Sequence, residues 1–137
     1  MEHEARQWLE MAVLDHDVAR HLFDTYHPRP IEIICYHCQQ AAEKAVKAVI
    51  ISLGSPGGLP KKHDISFLLT QIKNYISIEE KYYDYADALT PYGVAVRYPS
   101  ELHLEERHAQ KAIQYAGEII SWARDVIDIQ LSEHAEE

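Results

Sequence analysis

Nine histidines in 137 residues give this chain many groups able to move protons near neutral pH. Unperturbed imidazole titrates at about 6.5, so spacing decides what each could do. Cys35-x-x-Cys38 with His37 between them forms half of a zinc-ligand pattern. Tetrahedral zinc takes four ligands, and no second pair is visible, so two buried core cysteines are expected and no metal or cofactor. His63-Asp64 reads as the start of a helix. Asp15-His16-Asp17 reads as a solvated turn of the first helix, although Asp15, on its apolar face, is placed to pair with a lysine or arginine inside the fold. Tyr82, Tyr83, Tyr85, Tyr92 and Tyr98 carry rings that can stack on bases, and the same cluster suits packing at a helix or dimer seam. The stretch GSPGGLPKKH lacks the Gly-Lys-Ser/Thr ending of a phosphate-binding P-loop.

These residues need elements to hold them. Ile34, Cys38, Ala41, Ala42, Ala45, Val49 and Leu53 recur at three- and four-residue steps and predict a helix over Ile31 to Leu53. Gln39, Gln40, Glu43, Lys44 and Lys47 are expected on its other flank, with Glu43 and Lys47 as a favourable i, i+4 pair. Its alanines admit a neighbouring helix closely, so it is the expected spine. A first helix is predicted from about Glu4 to Tyr26, ended by Pro28 and Pro30. Asp64 caps a third helix through Ile65, Leu68, Leu69, Ile72 and Ile76. Ser77 and Glu80 have the spacing of a capping box for a Tyr-rich fourth. The fifth is predicted from about Leu104 to Leu131, with a frayed polar tail at 132–137. No period-two alternation is present. The expected fold is an all-α, up-and-down bundle of four to five helices in a single domain spanning 1–137, its core about 5–131.

Composition narrows the classes. A hydrophobic fraction of 47% suits a globular chain. No apolar run reaches the roughly 18 residues of a membrane span, and MEHEARQWLE is charged rather than leader-like. Two cysteines on one helix leave no disulfide framework, so a cytoplasmic setting is expected. A net charge of −9 argues against a general nucleic-acid surface but leaves room for a small basic site.

The order of short motifs is more specific. A first helix carries Asp15 in its core. The second carries Gln-Gln-Ala-Ala-Glu-Lys-x-x-Lys-Ala from Gln39 to Ala48. A Gly/Pro loop leads to His63-Asp64-Ile65 and Leu68-Leu69, and Arg97-Tyr98-Pro99 precedes a long Ala-rich helix. From about Ala5 to Ile127 the chain resembles the HEPN family, the higher eukaryotes and prokaryotes nucleotide-binding domain.

The resemblance implies a helical bundle that commonly forms homodimers. Small prokaryotic members are often encoded beside a minimal nucleotidyltransferase, in toxin–antitoxin-like pairs. Many members are metal-independent endoribonucleases using an Arg, a spacer of four to six residues and a His; others are binding or scaffold modules. Arg97 and His103, separated by a spacer of five residues, match that spacing and become the expected catalytic pair. Histidine supplies the acid–base group, and the arginine fork supplies a fixed cation where phosphate charge builds. Arg97, Lys44, Gln40 and Tyr98 are the expected nucleotide- or phosphate-binding residues, and His108 is a competitor to His103. Two features depart from the active members: Tyr98-Pro99 interrupts the spacer, and Glu105 stands where some toxins place a tyrosine. The alternative function is a non-catalytic module binding a nucleotide or a partner.

Overall fold

The computed structural model describes residues 2–54, 58–95 and 103–135. Six helical segments follow one another: α1 (Glu2–Thr25), α2 (Ile31–Ser52), α3 (Ile65–Ile72), α4 (Glu80–Leu89), the single turn α5 (Tyr92–Ala95) and α6 (Glu106–Ala135). No strand occurs among the described residues, and the class is all-α as expected.

α2 is the spine. It packs against α1, α3, α4, α5 and α6, and thirteen of its residues, from Ile34 to Ile50, are buried. The reason is in its side chains. Ala41, Ala42, Ala45 and Ala48 are fully buried and face Ala-rich stripes on α1 (Ala5, Ala12, Ala19) and α6 (Ala109, Ala112, Ala116, Ala123). Small side chains let three long helices approach at short interaxial distance. Larger residues fill the ends and the α3 side: Ile34, Val46, Val49, Ile65, Leu68, Leu69, Ile72, Leu89, Ile119 and Ile127 are at most 1% exposed. Each such burial contributes roughly 1.5–3 kcal/mol.

α1 runs antiparallel to α6. Arg6 meets Asp128 at 2.7 Å near one end, and the His16 ring donates from Nε2 to the Ile113 carbonyl at 2.9 Å further along. Gly117 makes that approach possible, because a Cβ there would stand 3.2 Å from the His16 ring. Arg29 joins the α1–α2 turn to the start of α6: it donates to the Phe23 carbonyl at 2.6 Å and pairs with Glu106 at 3.0 Å.

Helix ends depart from expectation in four places. Asp64 does cap α3, accepting from the Phe67 amide at 3.3 Å. However, α3 stops at Ile72, where the Tyr75 and Ile76 amides fold back on the Ile72 carbonyl. The Ser77–Glu80 capping box does not form; Glu79 is the N-cap of α4 and makes no side-chain cap bond. The expected frayed tail is helical as far as Ala135, as α6 continues past its apolar stripe. Tyr26 lies just past the end of α1 and is exposed, not part of its buried face. α2 ends at Ser52, and Gly54 takes a positive φ of 66° just beyond, a conformation that glycine adopts without a steric cost.

Candidate functional site

The chemistry-bearing side chains gather on the two polar edges of α2, each built around one shielded carboxylate. On the α1 edge Asp15, 15% exposed, accepts from Lys44 Nζ at 2.6 Å and from His37 Nδ1 at 3.0 Å. On the α3 edge Glu43, 6% exposed, accepts from Lys47 Nζ at 2.9 Å, from Gln39 Nε2 at 3.0 Å and from His63 Nδ1 at 3.2 Å. Burying an unpaired carboxylate costs several kcal/mol, so each acid takes a lysine and an imidazole. In both clusters the histidine donates through Nδ1, which leaves Nε2 as the second proton site.

Gln39 is fully buried and its carboxamide is fully engaged. Nε2 donates to Glu43 and to the His63 carbonyl at 3.3 Å, while Oε1 accepts from Gln40 Nε2 at 2.8 Å. The expectation that Gln39, Glu43 and Lys47 lie on an outer flank is therefore corrected: all three are buried. Gly93 of α5 and His63, just before α3, lie against Gln39 and Glu43, and Trp8 of α1 lies beside Lys47, neighbours that periodicity within α2 alone does not reveal. The i, i+4, i+8 spacing of Gln39, Glu43 and Lys47 was the available signal. The expected internal partner of Asp15 is Lys44.

The predicted site residues divide. Arg97 and Tyr98 lie outside the described residues. His103 is exposed, three residues before α6. Lys44 and Gln40 sit one turn apart on α2, both partly buried and both already bonded within the fold. His108 has a structural job. Its Nδ1 accepts from the Glu105 amide at 2.9 Å, closing the first turn of α6 as a capping side chain would. Among the described residues no three His, Cys, Asp or Glu are grouped to hold a metal ion.

The tyrosines line the α4–α6 seam. Tyr85 stacks on Tyr115 with centroids 4.4 Å apart, and Tyr82 leans on Trp122 at 5.5 Å. Tyr92 of α5 lies toward Cys35 and Cys38, and burial pushes its hydroxyl pKa up to about 12. Both cysteines are free and fully buried. Burial, then the nearby Glu32 charge, pushes the Cys35 thiol up to about 12; burial first raises Cys38 as well. These are inert core thiols. No described helix is long and apolar enough to cross a membrane.

Comparison with known proteins agrees with this architecture. The chain is similar to a protein of known structure from Thermus thermophilus, with 25% identity and a TM-score of 0.79 over 89% of this chain and 97% of that one. It is also similar to an archaeal HEPN homologue (25% identity, TM-score 0.70, 90% and 97% covered). A HEPN domain protein from Thermotoga maritima gives 25% identity and a TM-score of 0.69, with 89% and 98% covered. No curated protein sequence matches significantly. The HEPN domain sequence profile matches residues 5–126, which takes in the spine, both polar edges of α2 and most of α6. The chain belongs to the HEPN domain family.

Proposed function

We propose that this HEPN protein is one component of a nucleotidyltransferase-linked, toxin–antitoxin-like pair, and that as a homodimer it cleaves RNA without a metal ion through Arg97 and His103. The observation that carries this reading is the Arg97–His103 spacing in a chain of this family, with His103 exposed just before α6. In such a reaction His103 exchanges a proton with the 2′-hydroxyl or the leaving oxygen. Arg97 balances the charge that builds on the phosphate. Lys44 and Gln40 are the further phosphate contacts of this reading. Each has one donor committed inside the fold, so each would use an N–H that remains. Tyr98, beside Arg97, supplies a ring and a hydroxyl.

Incubation of purified protein with structured RNA in EDTA tests the reading. The wild type is expected to cleave, and His103→Ala and Arg97→Ala to lose about 100-fold or more in rate. Equal background from wild type and His103→Ala rejects the catalytic assignment. Light scattering should return twice the chain mass of 15.8 kDa, and a minimal nucleotidyltransferase encoded alongside should co-purify.

A second reading, a non-catalytic module binding a nucleotide or a partner, is favoured by the charge distribution. The net charge is −9, and Lys44 and Lys47 are neutralised by Asp15 and Glu43. Calorimetric titration with nucleotides separates the two. Saturable heat that Arg97→Ala reduces, without any RNA cleavage, selects this second reading.

A further inference from the structure

α1 buries one face and presents a second, ordered face to solvent. Ala5, Leu9, Ala12 and Ala19 lie in the core. On the far side Gln7, Met11, Leu14, Val18, His21 and Thr25 follow one another at alternating steps of four and three residues. That is the spacing of a seam along which a second helix packs. Its centre is apolar: Leu14 is 64% exposed, Met11 is 46% exposed and Val18 is half-buried. Met11 and Leu14 share a shallow groove of about 570 Å³ with Trp8, Glu4, Gln7 and Glu10. At about 1.5 Å per residue the seam from Gln7 to Thr25 is about 27 Å long, room for a partner helix of about 18 residues.

Charge decides the occupant. Glu10, Asp17 and Asp24 recur every seven residues along one flank of the seam, and all three are exposed. None of them pairs with a cation among the described residues. Arg6, on the same side of α1, is committed to Asp128. The opposite flank, against α2, is already balanced, because Lys44 pairs with Asp15. A second copy of α1 laid antiparallel on this seam would set Glu10 of one copy against Asp17 of the other, acid against acid. A basic flank answers the same acids favourably, and the net charge of −9 draws such a partner in from a distance. We infer that the outer seam of α1 is a docking surface for an amphipathic helix of a partner protein. That helix lays apolar side chains on Met11, Leu14 and Val18 and carries lysine or arginine along the flank that faces Glu10, Asp17 and Asp24. The surface is independent of Arg97 and His103, so it stands or falls apart from the cleavage reading.

Two helical peptides of about 21 residues serve as probes. Both carry leucine at the seam positions; one has lysine at the flanking positions and the other glutamate. Each is titrated into the intact protein by fluorescence anisotropy. Saturable binding of the lysine peptide is expected, at least about tenfold tighter than that of the glutamate peptide. Leu14→Ser, at an exposed position that leaves the core intact, should weaken it about tenfold or more. The double variant Glu10→Lys with Asp17→Lys should reverse the preference and select the glutamate peptide. No saturable binding of the lysine peptide, or equal affinity for both peptides, overturns the inference. Binding that Leu14→Ser leaves unchanged also overturns it, since charge attraction alone would then account for the signal. Light scattering covers the remaining occupant: a dimer that Leu14→Ser converts to monomer would mean that a second copy occupies the seam, and would overturn the assignment to a basic helix.

Discussion

Asp15 illustrates how much a single residue can reveal about its surroundings. An acid on the apolar face of an amphipathic helix needs partners, and both oxygens find them in Lys44 and His37. Removing the lysine leaves a shielded carboxylate half-satisfied. Lys44→Ala is therefore expected to cost about 1–3 kcal/mol in urea unfolding, whereas Lys81→Ala, whose partner Glu118 is 3.7 Å away on a more open surface, should shift the urea midpoint far less. Cys35 and Tyr92 make a pH prediction. Both groups are held neutral above their ordinary values of 9.0 and 10.0, each to about 12. The folded state therefore keeps protons that the unfolded state has lost. Their contribution to stability is complete below about pH 9 and falls as pH rises toward 12. Urea midpoints should decline through that window, and Tyr92→Phe should flatten its upper part. A decline that Tyr92→Phe leaves untouched would contradict the assignment.

At the scale of elements, caps decide where helices begin. Asp64 bonds the Phe67 amide, and Asp64→Ala is expected to lower stability by about 1 kcal/mol. His108 does comparable work for α6, so His108→Ala should fray the first turn of α6 and show as faster exchange there, with RNA cleavage retained if His103 is the active imidazole. Ser77, by contrast, forms no cap, and Ser77→Ala should be nearly silent in thermal unfolding. The pattern Ser-x-x-Glu was a correct local motif in the wrong place. α4 begins at Glu80, and the chain from Tyr75 to Glu79 is spent on the turn out of α3. A capping box needs its serine at the boundary, and that boundary is fixed by how α4 packs its tyrosines on α6.

At the scale of the molecule, an alanine-lined spine makes the bundle sensitive to added volume. Ala45 is fully buried on α2. Ala45→Leu should destabilise by about 1–3 kcal/mol through overpacking, more than a leucine at exposed Gln114. Ile119→Ala, deleting volume from the same core, should cost about 2–5 kcal/mol. The all-helical class, the order of the long helices and the buried alanine stripes were legible from periodicity, because a helix that must bury one face repeats its apolar residues every three or four positions. The family was legible from short motifs in sequence, and so was Asp64 as a cap, since those signals are local. Other features were decided only by packing. Gln39, Glu43 and Lys47 look like a solvated flank until α1, α5 and the start of α3 close over them. His63 looks like no more than a helix start until it reaches back twenty positions to Glu43. Periodicity tells a helix which side is apolar, but which polar side chains are shut in depends on the neighbours that arrive from elsewhere in the chain.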